Sequence, residues 1–385
     1  MNKFFLLSLC ALTLTPLQAL AQSSTTVPTL NEVAGDYVII NSKVYEDVTS
    51  ISEVRDMSVK VTDDDSLLIS HFYMLGGLDF KAGYNASTGN ITIKAGTQAF
   101  GYSDGQGSVQ YLYAWDDEKS EVMERPITYR YQGNGVWQAA GTIVLMTGTA
   151  GGTDFQPYIF SQGSKIARSN ATTSNVTYDG DAVRFEEKRP SYVEMKDDRI
   201  TVYNLLQKDG YGYGCWVTFN YDEAAKQISA APLLIGSATA IDWPYKALTG
   251  CGYDETTHRP TEVSYKGTDR EGFIDGSCVI DDTEGMITLN PMAVWPAKYD
   301  ESGWQLDFTR FFEVEESVSV SFDAEKAVAS GISLPKDGAG QGVPVSTDYY
   351  DLFGTRVIAP QHGQIVLKRM HYSDGTVRTV KELVP

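Results

Sequence analysis

The side chains that most often carry catalysis are few in this sequence, and their spacing argues against the common reactions. The four histidines are His71, His258, His362 and His371. None stands in a His-Glu-x-x-His pattern or beside a cysteine pair, so neither a histidine zinc site nor a nucleophile–histidine triad is supported. Gly101-Tyr102-Ser103-Asp104-Gly105 has the letters of a nucleophile elbow, but that elbow needs a strand-to-helix turn and here the neighbours read as strands. Gly338-Ala339-Gly340-Gln341-Gly342 likewise lacks the strand-to-helix setting of a phosphate loop. The acidic pairs Asp63-Asp64, Asp116-Asp117 and Asp281-Asp282 could serve as a glycosidase dyad or hold calcium. None shows the Asp-x-Asp-x-Asp-Gly spacing of a calcium loop, so they read as solvated turn residues. The expectation is a protein that is not an enzyme and needs no cofactor or metal; a carboxylate-dependent glycoside hydrolase is the catalytic alternative.

Aromatic residues are the side chains that point toward a ligand. Tyr102, Tyr111, Tyr113 and Trp115 cluster in the first half, and Tyr211, Tyr213, Trp216, Trp243 and Tyr245 in the second. Planar rings suit sugar faces and small apolar molecules, although on alternating strands half of them turn into the core. The segments after Gly76-Gly77 and at Lys208-Asp209-Gly210 would frame the mouth of such a site. Two readings follow: a binding protein for a small apolar molecule or a glycan, or a structural, adhesin-type protein whose interior is filled.

The elements that position these residues are strands. Ser58-Val59-Lys60-Val61, Asn90-Ile91-Thr92-Ile93, Arg199-Ile200-Thr201-Val202 and Ser317 to Phe322 alternate with period two. Turn signals such as Asp104-Gly105, Asp209-Gly210, Ser302-Gly303 and Asp374-Gly375 fall between such runs, as in antiparallel meanders.

Lys3, the apolar run Phe4 to Leu14 and Ala19-Leu20-Ala21 form the three regions of a secretory signal over 1–21. Leu9 stands before Cys10 where a lipoprotein box needs a small residue. No later run approaches the about 20 apolar residues of a membrane-spanning helix. The expected location is the cell surface or the extracellular medium, with the periplasm as alternative. There, Cys215, Cys251 and Cys278 form either one bridge with a spare thiol or three buried thiols. Fifty acidic against 31 basic residues, a formal charge of −19, argue against nucleic acid, which needs a basic patch.

The chain carries an internal duplication offset by about 135 residues. Val59 to Asp64 matches Val193 to Asp198; Tyr84-Asn85 with Asn90-Ile91 matches Tyr221-Asp222 with Gln227-Ile228; Arg125-Pro126 with Tyr131 matches Arg259-Pro260 with Tyr265. Gly35-Asp36-Tyr37-Val38 pairs more weakly with Gly180-Asp181-Ala182-Val183 as the opening strand of each copy. The fold class expected is all-β: two tandem antiparallel barrels or sandwiches, at 28–165 and 176–325, then a linker at 326–346 and a small β-hairpin tail at 347–385. Closure into barrels is favoured because it protects strand edges.

Gly35-Asp36-Tyr37-Val38 and the hairpin Gly83-Tyr84-Asn85-Ala86-Ser87-Thr88-Gly89-Asn90-Ile91 resemble the calycin-like (lipocalin-like) β-barrel domains of Bacteroidota. The resemblance implies barrels, with room for a ligand cavity, and no assigned chemistry. The last segment, with Tyr350-x-Leu352-x-Gly354-x-x-Val357, Pro360, Gly363 and the basic Lys381, is similar to C-terminal sorting tails of the type IX secretion pathway. That similarity implies outer-membrane secretion machinery as a partner.

Overall fold

The structure is a computed structural model that describes residues 26–44, 50–72, 78–101, 107–149, 152–179, 183–206, 215–240, 243–261, 272–281, 283–300, 303–329, 346–350, 356–357, 365–371 and 377–383. It divides into two compact units, 1–331 and 332–385. The signal segment at 1–21 lies outside the described residues.

Within the larger unit, a short helix α1 (Leu30–Val33) precedes β1 (Gly35–Val44), β2 (Ser50–Val61), β3 (Leu67–Ser70), β4 (Phe80–Tyr84), β5 (Ile91–Ile93), β6 (Thr97–Gly101), β7 (Ser108–Asp116), β8 (Glu121–Met123), β9 (Ile127–Gly133), β10 (Val136–Ala139), β11 (Ile143–Thr149) and β12 (Gln156–Arg168). The second half continues with β13 (Ala171–Asp179), β14 (Val183–Lys196), β15 (Arg199–Leu206), β16 (Cys215–Asp222), β17 (Gln227–Ala230), β18 (Leu233–Ala240), β19 (Trp243–Gly250), β20 (Gly252–Asp254), β21 (Arg259–Thr261), β22 (Ile274–Asp281), β23 (Glu284–Leu289), β24 (Met292–Asp300), β25 (Gly303–Leu306) and β26 (Glu313–Asp323), ending in α2 (Ala324–Ala329).

Each half is a closed antiparallel barrel of eight strands. The first runs β1-β2-β3-β4-β5-β9-β10-β12 and closes β12 on β1. The second runs β13-β14-β15-β16-β17-β22-β23-β26 and closes β26 on β13. Each barrel also carries a flap off its last strand: β11, β7 and β6 from β12, and β24, β19 and β18 from β26. The strand orders coincide element for element, so the duplication extends to topology.

Alternation fills both interiors. Inward residues of β1, β5, β9 and β12 (Tyr37, Ile39, Ile91, Ile93, Ile127, Tyr129, Ile166) share one apolar cluster with Leu112, Ala114, Ile143 and Leu145 of the flap. The second cluster is built likewise from Val193, Val202, Phe219, Ile287, Val320 and their neighbours. The two short helices plug matching ends: Val33 of α1 belongs to the first cluster, and Ala324 and Ala327 of α2 to the second. The Tyr37 hydroxyl donates to the Val33 carbonyl at 2.6 Å, which fixes the first plug.

Two of the sequence matches hold in the structure. Val59–Asp64 and Val193–Asp198 close β2 into β3 and β14 into β15, and the Tyr84 and Tyr221 stretches form the β4–β5 and β16–β17 turns. Arg259-Pro260 instead lies in β21, which pairs with β20 off the barrel; the counterpart of β9 is β22. Tyr265 lies outside the described residues. The opening-strand match also shifts, because the counterpart of β1 is β13, and Gly180-Asp181-Ala182 follows it. That strand escapes a hydrophobic pattern because its buried residues include Thr173, Asn175 and Thr177. The last strand of the first barrel ends at Arg168, the first strand of the second begins at Ala171, and α2 packs Ala324 and Ala327 into the second cluster.

The smaller unit is a four-stranded sheet, β28-β27-β29-β30, built from β27 (Ser346–Tyr350), β28 (Arg356–Val357), β29 (Ile365–His371) and β30 (Val377–Leu383). Tyr350 pairs with Arg356, and Lys381 with Leu367. Leu352, Gly354, Pro360 and Gly363 lie outside the described residues.

Candidate binding face

On β7 the alternation sorts Leu112 and Ala114 into the core and leaves Tyr111, Tyr113 and Trp115 half-buried on the opposite face. These three rings form a row on the outside of the flap, and they do not line the barrel interior. Tyr111 meets the Phe155 ring edge-on at 5.2 Å, and Trp115 meets Phe160 at 4.9 Å. Beside them on the neighbouring strand stand Val144 and Met146 of β11, paired with Tyr113 and Tyr111 and themselves buried. Two glycines permit this packing. A Cβ at Gly148 would fall 2.6 Å from the Phe155 ring, and one at Gly96, whose φ is +73°, would fall 3.0 Å from the Tyr113 hydroxyl.

The other aromatic candidates go elsewhere. Tyr102, Tyr211 and Tyr213 lie outside the described residues. Trp243 and Tyr245 stand on β19, and Trp216 points away from the core of the second barrel toward Tyr203, 5.7 Å between centroids.

The face of the second flap equivalent to the row is closed. Residues 303–312 and the hairpin β20–β21 fold over it, so Trp295, Ala293 and Val314 are buried beneath Phe308, Phe311, Leu306 and Tyr253. Phe308 and Phe311 meet Trp295 edge-on at 5.0 and 6.4 Å. His258 accepts or donates through Nδ1 to the Tyr253 hydroxyl at 2.7 Å and stacks on Tyr178 at 4.2 Å, an aromatic packing role.

Buried polar groups, which sequence reasoning missed, occupy two further places. At the junction of the barrels, Lys165 of β12 lies 3.3 Å from Glu194 of β14, with the Tyr192 and Tyr203 rings 5.3 and 4.6 Å from its ammonium. Burial holds the Lys165 pKa below its ordinary value, and Glu194 opposes that shift. Inside the second barrel, Glu315 Oε2 accepts from Thr177 Oγ1 at 2.6 Å and Asn175 Nδ2 at 2.9 Å, while Arg189 donates to Asn175 Oδ1. Burial raises the Glu315 pKa to about 7 against the pull of those hydrogen bonds. Burial pushes the nearby Cys215 thiol up to about 12. The first barrel has a related seam, where Ser164 Oγ donates to Asn41 Oδ1 at 2.5 Å and lies 2.7 Å from the Tyr129 hydroxyl.

The alternation hid these residues because each seam carries a β-bulge. Gly163, at φ +63°, shifts the phase of β12, so that Ser164 and Ile166 face inward while Lys165 faces the other barrel. In β26 the register slips between Ser317 and Glu315, which turns Glu315 inward and Val314 outward.

The acidic pairs serve turns. Asp64 accepts from Thr62, Ser66 and Lys81, and these hydrogen bonds, Lys81 first, hold its pKa well below the usual carboxylate range. Asp116 accepts from the Glu118 and Lys119 amides, and Asp117 from Thr142 at 2.7 Å. Asp282 lies outside the described residues. Gly101 ends β6, which pairs antiparallel with β7, so the elbow-like motif joins two strands. All three described thiols are free, which selects the unbridged arrangement.

Comparison with family models, with curated proteins and with solved structures gave no match.

Proposed function

We propose that the protein is an exported, non-catalytic binding protein in which the two barrels are filled scaffolds and recognition occurs on the outer aromatic face of the first flap. The observation that carries this reading is the placement of Tyr111, Tyr113 and Trp115 on the side of β7 away from the core, half-buried, beside the buried Val144 and Met146 of β11. Half-exposed Tyr and Trp on a rigid sheet provide contact area with little side-chain entropy to lose on binding. Both barrel interiors are occupied by their own side chains, which favours the filled-barrel reading over a lumenal ligand such as a small apolar molecule. The calycin-like resemblance and the sorting-tail similarity add an expectation of export to the cell surface, with the tail engaging the secretion machinery.

The test pairs wild type with a Tyr113→Ser, Trp115→Ser variant, using immobilised polysaccharides and a displayed peptide library as probes. A Phe185→Ser variant, at a 46% exposed position on β14, serves as the off-face control. Binding to either probe that weakens at least tenfold only in the double variant supports the reading. Binding that the double variant retains in full contradicts it.

A further inference from the structure

The outer wall of the second barrel carries a groove of about 870 Å³, remote in the chain from the aromatic row of the first flap. It runs over β13, β26, β23 and β22, and α2 contributes Glu325 and Lys326 to its border. Alternation turns Val279 of β22 and Met286 of β23 out of the core, where they face each other across the ladder at 51% and 46% exposure. Of the large apolar side chains that stand exposed among the described residues, these two alone pair across a ladder. The row continues over β26 and β13 as Ser321 and Thr172, whose short side chains leave the apolar pair uncovered.

Two residues along the same strands, about 7 Å away at the rise of a strand, stands a row of three carboxylates. Asp281 opposes Glu284, and Glu284 opposes Asp323. Like charges directly opposed across a ladder repel and weaken the pairing. Glu325 adds a fourth carboxylate, and Lys326, the one cation among the described residues of the groove, is held by Asp323 at 2.6 Å. Folding gains nothing from an exposed apolar pair or from opposed carboxylates, whereas an occupant that is apolar and cationic at that spacing is stabilised by both.

We propose that this groove docks a basic polypeptide segment of another protein, which lays apolar side-chain surface over Val279 and Met286 and sets a lysine or arginine head against Asp281, Glu284 and Asp323. Both basic side chains suit the spacing, because their aliphatic stems cover apolar surface while the head stays among charges. Arginine can also bind a carboxylate through two parallel hydrogen bonds. A small cation alone would leave the apolar pair unused. A second copy of the chain is disfavoured, because a formal charge of −19 repels another molecule of the same charge.

The experiment selects a displayed library of about ten-residue peptides on the full-length protein, with an Asp281→Asn, Glu284→Gln variant for counter-selection. Affinities of the enriched peptides are then measured by calorimetry at about 50 and about 300 mM salt. Both substitutions are at exposed positions and relieve the repulsion, so the variant should unfold at the same temperature as wild type or a higher one. Met286→Thr removes the apolar half of the groove, and Phe185→Ser on β14 is the control away from it. The expected result is enrichment of peptides with a lysine or arginine within about four residues of a large apolar side chain. Their affinity should fall at least tenfold in the carboxylate variant, several-fold in Met286→Thr and at the higher salt, and not at all in Phe185→Ser. Enrichment of neutral or acidic peptides, binding that the carboxylate variant retains in full, or no enrichment overturns the proposal. Peptides whose binding is lost only in the Tyr113→Ser, Trp115→Ser variant belong to the aromatic face, and their enrichment alone overturns it as well. Concentration-dependent dimerisation abolished by the carboxylate variant overturns the partner class, because the occupant is then a second copy.

Discussion

Lys165 of the first barrel and Glu194 of the second lie 3.3 Å apart with side chains 1% and 8% exposed, so the two barrels meet across a buried ion pair. Around it, β1 and β2 of the first barrel touch β14, β15 and β16 of the second, and the Tyr203 hydroxyl also donates to Glu194 at 3.3 Å. Removing one partner leaves the other charged and desolvated, which typically costs about 3 to 5 kcal/mol. Glu194→Gln and Lys165→Met should therefore each destabilise the protein strongly, and the double variant should lose much less than the sum of the two. Denaturant unfolding of all four proteins measures the coupling; additive losses would show that the pair is not coupled.

Glu315 gives the second barrel a pH dependence of definite sign. Its folded pKa is raised from the model-peptide value of 4.5 to about 7, so the folded state holds the proton more tightly than the unfolded chain. The contribution is favourable below about 4.5, and stability falls as the pH rises from there through about 7. Glu315→Gln, which stays neutral and keeps an acceptor for Thr177 and Asn175, should remove this slope. At pH 8 it should raise stability by an amount on the order of 1 to 3 kcal/mol. Unfolding midpoints measured from pH 4 to 8 would show parallel profiles for wild type and variant if this is wrong.

The free thiols should differ in reactivity through access and not through pKa. Burial raises all three, Cys215 and Cys251 to about 12 and Cys278 to about 11, but Cys215 and Cys278 are enclosed in the second core whereas Cys251 is only half-buried. A thiol reagent at pH 8 should leave Cys215 and Cys278 unmodified in the native state and modify all three after denaturation. Mapping by mass spectrometry checks this, and rapid native labelling of Cys215 would contradict the core packing.

Trp137 anchors the closed end of the first barrel. Its Nε1 donates to the Gly89 carbonyl at 2.7 Å, and its ring packs edge-on against Tyr37 at 5.7 Å. Trp137→Phe keeps an aromatic but orphans a buried carbonyl, so it should cost about 1 to 3 kcal/mol. A neutral effect in thermal unfolding would count against this anchor.

Much of the architecture was legible in the sequence, because period-two runs and the repeated turns at Asp63-Asp64 and Asp197-Asp198 encode local structure directly. The aromatic row on β7 was legible too, since Tyr111, Tyr113 and Trp115 alternate, although which face they take depends on Leu112 and Ala114 meeting the core. The start of the second barrel was not, because β13 buries Thr173, Asn175 and Thr177 through hydrogen bonds in place of apolar contacts. Nor were Lys165 and Glu315, whose direction is set by bulges that reverse the alternation partway along β12 and β26. Equivalence of the flaps is likewise tertiary information, since it rests on which strands pair.

The central claim is that the barrels are filled and that binding takes place outside them. It is tested most directly by purifying the protein from its natural source and recording its mass under native and then denaturing conditions. The account requires the same mass in both, with no small molecule carried in either barrel. A stoichiometric adduct that is lost on denaturation would place a ligand in a lumen and contradict it.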